Sequence, residues 1–263
     1  MHRFVIFILW GLHLVHSSYA AEINPNYFKG YEGGFVLLDR TTSKTTRYNP
    51  ELCEIPVAPC STFKIYNGLI GLETGIIKSV DAPFYKWDKV VRPMEDWNKD
   101  LTFADAFRVS FVPAFQELAR KIGPKRMTSY LTKIKYGNAD LSKGVDSFWL
   151  PEQGKSPILI SANQQVELLD QLLHGKLPFS SKNSALMKDV MKVATSAKGT
   201  IYGKTGTAFS ASNTPEMGWF VGFANTQEKD YIFACLLKKG ENASGKTAKE
   251  ISLLILRDLG IFL

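Results

Sequence analysis

The stretch from residue 200 to residue 237, TIYGKTGTAFSASNTPEMGWFVGFANTQEKDYIFACLL, decides the fold class. It holds three short runs rich in β-branched and aromatic residues: Thr200–Lys204, Gly218–Ala224 and Tyr231–Leu237. Each reads as a strand. At the other end of the chain Gly34–Asp39 reads as a strand too, turned at Arg40–Lys44 into a partner, Thr45–Tyr48. Between these groups the pattern changes. Ser61–Thr74 reads as a helix stopped at Gly75, and helices and loops continue to about residue 195. One helix opens at Ser161, where Ser161 and Gln164 form a capping-box signature and Val166, Leu169, Leu172 and Leu173 share a face. After residue 240 comes an amphipathic helix with Ile251, Leu254, Ile255 and Leu259 on one side. The fold class is therefore α/β of the α+β type. One antiparallel sheet is formed from both chain termini and flanked by helices, with a helical lobe of about residues 61–195 inserted. A cleft is expected where the lobes meet.

Composition is ordinary for a globular chain of 263 residues, 45% hydrophobic and 22% charged. Residues 1–20 stand apart. His2 and Arg3 precede an apolar run from Phe4 to Val15, and Ser18 and Ala20 supply small residues ahead of Ala21. This reads as a secretory signal peptide over 1–20. The apolar run is short for a bilayer span, so no stable membrane insertion is expected after cleavage. A single domain over 21–263, exported to the periplasm or secreted by a bacterium, is the expectation. Removing residues 1–20 takes away Arg3 and no acid, one unit from the net charge of +7. The lysines are scattered with no basic stripe, which argues against nucleic acid as a partner.

Cleavage also removes His2, His13 and His16 and leaves His174, late in a helix. A His-rich metal site is excluded, and no metal is expected. A Ser-His-Asp triad would have to use His174. Of the three cysteines, Cys235 reads as core, whereas Cys53 and Cys60 could close a small disulfide loop in an oxidising compartment.

Two short elements carry possible chemistry. Ser61-Thr62-Phe63-Lys64 is an S-x-x-K element at a helix start. Residues three apart share a helix face, which puts Lys64 beside Ser61. The Ser61 N–H is an unpaired donor of the helix terminus, suited to an oxyanion. The apolar neighbours Phe63, Ile65, Leu69 and Ile70 favour a neutral lysine, as a base requires. Taken alone, such a pair is more often a cap and a solvated charge. Lys204-Thr205-Gly206, followed by Thr207, ends a strand. Lysine and threonine there could hold a substrate carboxylate, and glycine lets the backbone approach a ligand. A plain turn is the commoner reading of that tripeptide. Ser110 precedes Pro113 and could relay a proton or simply cap a helix. Tyr136-Gly137-Asn138 reads as a turn, and Trp149 as core whose N–H would want an acceptor.

The order Ser61-Thr62-Phe63-Lys64, Ser110-Phe111-Val112, Tyr136-Gly137-Asn138, Trp149, Lys204-Thr205-Gly206 resembles class D serine β-lactamases of the oxacillinase type. Phe148-Trp149-Leu150 and Gly218-Trp219-Phe220-Val221-Gly222 are similar to that family as well. The resemblance implies the serine β-lactamase and penicillin-binding transpeptidase fold. It also implies hydrolysis of the β-lactam amide of penicillin-type antibiotics, hence resistance to them. Ser61 would form the acyl-enzyme. Lys64 would be carboxylated by CO₂ to N6-carboxylysine and act as general base, with no other cofactor. Trp149 would hydrogen-bond that group, with Val112 and Leu150 around it. Ser110 would relay a proton to the lactam nitrogen. Ser61 and Thr207 would give the oxyanion hole, and Lys204, Thr205 and Gly206 would bind substrate. The family often places an arginine near the start of the last helix to bind the carboxylate. The matching position here falls near Ala248, with Lys246 or Thr247 as substitutes.

Residues 240–247 fit G-x-x-x-x-G-K-[ST], a phosphate-loop pattern, between a strand and a helix. In an exported protein the segment reads better as a turn into the last helix. A nearer rival is a penicillin-binding protein or β-lactam sensor, acylated without turnover, which would share Ser61, Lys64 and Lys204-Thr205-Gly206.

Overall fold

A computed structural model describes residues 22–152, 156–227 and 229–262; the signal-peptide segment lies outside them. The chain opens with β1 (Tyr31–Asp39), β2 (Lys44–Tyr48), α1 (Pro50–Glu54) and α2 (Lys64–Glu73). Then come β3 (Pro83–Tyr85), β4 (Leu101–Thr102), α3 (Phe103–Arg108), α4 (Val112–Ile122), α5 (Pro124–Lys133), α6 (Ala162–Leu173) and α7 (Ser181–Val190). It closes with β5 (Lys192–Thr195), β6 (Gly199–Phe209), β7 (Pro215–Thr226), β8 (Asp230–Gly240) and α8 (Gly245–Asp258).

Six strands form one antiparallel sheet in the order β2-β1-β8-β7-β6-β5, so β1 and β8, from opposite ends of the chain, are neighbours. The expected sheet from both termini is the one observed. The observed strands are longer than the sequence runs because turn-proximal residues such as Pro215 and Lys239 still pair. Alternation sorts side chains to two cores. Trp219, Val221, Phe223, Ala234 and Leu236 face the helices of the chain's middle, whereas Phe35, Phe220, Phe233, Cys235 and Leu237 face α8. Covered on both faces, β7 reads as a near-continuous apolar run.

Three elements escaped the sequence reading. β3 and β4 pair through only Pro83↔Thr102 and Tyr85↔Leu101, too short to show a period. β5 is four residues, with no residue fully buried. The last helix buries Ala248, Ile251, Ser252, Ile255 and Leu256, while Leu254 and Leu259 are half-buried, so its inward face is rotated from the expected one.

The expected Cys53–Cys60 bridge is absent. Both thiols are free and buried, as is Cys235. Their surroundings explain this: Cys53 Sγ sits over Gly34 of β1, 3.1 Å from where a Cβ there would be, while the Cβ of Cys60 lies against Gly206 of β6. The thiols are drawn to different strands, and each finds a carbonyl, Tyr48 O for Cys53 and Ala58 O for Cys60.

Candidate active site

The site starts from a 3-10 turn, Cys60–Phe63, that leads into α2. The sequence suggests a plain α-helix here. In a 3-10 turn residues i and i+3 eclipse, which brings them closer than an α-helix does. Lys64 Nζ lies 2.7 Å from Ser61 Oγ. Cys60, just before the nucleophile position, has φ of 51°, a left-handed conformation that costs a non-glycine residue energy. Packing on β6 holds it: a Cβ on Gly206 would lie 3.0 Å from Cys60 Cβ and 3.2 Å from the Ser61 nitrogen. Glycine is what lets the strand approach the turn this closely.

Ser110 enters from the α3–α4 connection, also left-handed with φ of 57°. Its Oγ and carbonyl lie 3.2 and 3.3 Å from Lys64 Nζ. It caps no helix; Phe111 occupies that position, with Pro113 in the first turn of α4. The strand pair β3/β4 carries a loop whose Trp97 indole donates to Val109 O at 3.0 Å and packs edge-on against Phe111. That contact fixes the chain on either side of Ser110.

Lys64 is fully buried. Burial first, and the nearby Lys204 second, hold its amine well below the usual lysine range. Its Nζ stands 5.4 Å over the Phe115 ring, a contact the motif reading missed although Phe115 lies on the inward face of amphipathic α4 with Ala114, Leu118 and Ile122. Of the expected surroundings, Phe63 and Trp149 are fully buried and their rings pack 5.2 Å apart. Trp149 Nε1 is buried with no hydrogen-bond partner. Val112 opens α4 and is half-buried. Leu150 is half-buried, and its carbonyl accepts from Lys143. Tyr136-Gly137-Asn138 is a turn that ties two loops together. Asn138 bonds Pro157 O and the Leu159 N–H, and a Cβ on Gly137 would meet Leu159 O at 1.9 Å.

On β6, Lys204 is buried against the Phe107 ring, and its Nζ donates to Thr205 O at 3.1 Å. Burial, then Lys249, lower its pKa to about 7. β5 borders β6 only as far as Gly203, whose N–H donates to Met191 O. Amides alternate between strand edges, so those of Thr205 and Thr207 point to the same edge as that of Gly203. Beyond β5 that edge is open, and the neighbouring Gly206 touches the Ser61 nitrogen. Ser61 and Thr207 thus offer N–H groups on one side of Ser61 Oγ.

The phosphate-loop pattern has another explanation. Ser244 caps α8, and the Gly245 N–H donates to Thr207 Oγ1 at 2.9 Å. A Cβ on Gly245 would lie 2.6 Å from Gly206 O. The small residues of 240–247 back the Thr205–Thr207 strand. Thr247 Oγ1 bonds Asn242 O, Lys246 is exposed and Ala248 is buried, so the expected carboxylate ligands point elsewhere. His174 caps α6, with Nδ1 2.9 Å from Asp170 O. Among the described residues no cluster of His, Cys, Asp and Glu could hold a metal.

Comparison with known proteins agrees with this architecture. Residues 17–257 match the penicillin-binding protein transpeptidase domain. The chain is 34% identical over 258 residues to the probable β-lactamase YbxI of Bacillus subtilis, covering 96% of this chain and 92% of that protein. The crystal structure of the class D β-lactamase from Bacillus subtilis superposes with a TM-score of 0.84 at 36% identity, covering 91% and 96% of the two chains. The C-terminal domain of the Bacillus licheniformis BlaR penicillin-receptor also gives 0.84, at 32% identity over 90% and 95%. With a serine and a lysine 2.7 Å apart at the head of α2, and Gly206 of the Lys204-Thr205-Gly206 strand against that serine, the chain belongs to the class D serine β-lactamases of the transpeptidase fold.

Proposed function

We propose that the protein opens the β-lactam amide of penicillin-type antibiotics in two steps through an ester on Ser61, and so confers resistance. The observation that carries this reading is the buried Lys64 amine 2.7 Å from Ser61 Oγ and 3.2 Å from Ser110 Oγ. Depressed basicity leaves the amine able to accept the hydroxyl proton. As Ser61 Oγ bonds the lactam carbonyl carbon, its proton passes to the Lys64 side chain. The carbonyl oxygen gains charge against the Ser61 and Thr207 amides. The C–N bond then breaks, and Ser110 hands a proton to the leaving nitrogen. Water, deprotonated at Lys64, cleaves the ester and returns Ser61. Lys204, Thr205 and Gly206 hold the substrate carboxylate beside the oxyanion site.

A neutral, buried amine is suited to adding CO₂, and the unpartnered Trp149 indole N–H fits a new acceptor there. Carboxylated, Lys64 would supply an anionic general base; Val112 and Leu150 would keep its surroundings apolar. The mature form is expected to begin at Ala21 and to act outside the cytoplasm; among the described residues no helix is long and apolar enough to cross a membrane.

Similarity to the penicillin-receptor domain favours one second reading, acylation without turnover. Steady-state hydrolysis of a chromogenic cephalosporin separates the two. Sustained turnover, lost together with penicillin labelling in Ser61→Ala, supports the β-lactamase. A single stoichiometric burst would make the protein a receptor, and labelling that persists in Ser61→Ala would overturn the assignment of the site.

A further inference from the structure

The free edge of β6 forms one wall of a cavity of ≈ 360 Å³, at the notch where β5 ends and β6 runs on. Lys204 and Thr205 line it from β6, and Lys249 reaches it from α8 on the far face of the sheet. Arg108, also on the wall, is already paired with Asp105 at 3.0 Å. Lys192 and Asp189 are exposed at the rim. Lys204 and Lys249 are different: among the described residues, neither forms an ion pair with a carboxylate. Two ammonium groups facing one cavity without a counter-ion repel each other, and burial strengthens that repulsion. Its effect is visible in the lowered basicity of Lys204. The Thr205 side chain borders the same space and can donate a hydrogen bond.

We propose that Lys249 is the second cation of an anion clamp with Lys204 and Thr205, and that it binds the substrate carboxylate. This rests on the functional reading above and replaces the substitutes expected from sequence, Lys246 and Thr247. α8 sets the geometry. Ala248 and Ser252 are buried on its inward face, so the adjacent Lys249 leaves sideways toward the strand edge. A carboxylate between the two ammonium groups turns their repulsion into attraction and raises the proton affinity of Lys204. Neither lysine touches the reacting amide; together they hold the ring in register with Ser61.

The test compares benzylpenicillin with its methyl ester, which lacks the anion, in the wild type, Lys249→Met and Lys249→Arg. In Lys249→Met the KM for the acid should rise about tenfold with kcat changed much less. The loss should be several-fold smaller for the ester, and Lys249→Arg should recover most of it. Removing the like charge should also move the alkaline limb of the kcat/KM profile for the acid to higher pH. Equal losses on acid and ester, or an unchanged KM and pH profile, would overturn the role of Lys249. If the wild type is acylated without turnover, the same comparison is read from acylation rates. A wild type that reacts with neither lactam would sink the functional reading itself, and the clamp with it.

Discussion

Lys64 is the residue on which the chemistry turns. In water its amine would be protonated, with a pKa of about 10.4, and useless as a base. Full burial and the charge of Lys204 remove that obstacle. If carboxylation completes the site, turnover should fall in degassed buffer at mildly acidic pH and return with bicarbonate. Carbon-13 NMR with labelled bicarbonate should show one adduct, absent in Lys64→Ala. Trp149→Phe keeps most of the ring packing on Phe63 but deletes the unpartnered N–H. It should weaken the adduct signal and raise the bicarbonate needed for half-maximal activity about tenfold. An adduct insensitive to both substitutions would argue for a free-amine base.

Single elements place these groups. The α6 capping box is complete, with Ser161 Oγ taking the Gln164 N–H and the Gln164 side chain taking the Ser161 N–H. Ser161→Ala should cost about 1 kcal/mol, read as a fall in Tm of roughly 2–4 °C. Activity per folded molecule should be little altered, because α6 reaches the site only through Gln165 and Thr62. The start of α8 is the contrasting case. A methyl group on Gly245 would press on Gly206 O at 2.6 Å and Thr205 Cβ at 2.9 Å, so the strand must move. Displacing the Thr207 amide removes an oxyanion donor, and loss of one such donor costs on the order of a hundredfold in kcat. Gly245→Ala should therefore lose far more activity than stability. A variant with normal kcat would show that the strand yields without harm.

For the whole molecule the same buried lysines are a liability. A lysine with a lowered folded-state pKa binds fewer protons than the unfolded chain between the two values. For Lys204 that window runs from about 7 to its ordinary 10.5. Its penalty on stability is full below the window and fades as pH rises through it. Lys204→Met should raise Tm by roughly 4–8 °C at pH 7. The gain should shrink toward pH 10 and come at the cost of substrate binding, the usual exchange between stability and function. Thermal melts across that range check this; a gain independent of pH would assign it to packing instead.

Much of this was legible in the residues because it follows from local rules. Apolar alternation gave the sheet from both termini, helical spacing gave α2, α6 and α8, and the Ser161–Gln164 signature marked a cap that the structure contains. Ser61, Lys64, Ser110 and Lys204 could be singled out because few residue types can do such chemistry and their spacings are short. What sequence could not supply was any relation between distant segments. The free thiols at Cys53 and Cys60 depend on which strand each segment packs against. The rings beneath Lys64 and Lys204 come from Phe115 and Phe107, 51 and 97 positions away along the chain. The approach of Gly206 to Ser61, the support of Thr207 by Gly245 and the meeting of Lys249 with Lys204 across the sheet edge exist only once β6 lies between two layers. Periodicity fixes which way a side chain faces within its element; only packing decides what it meets there.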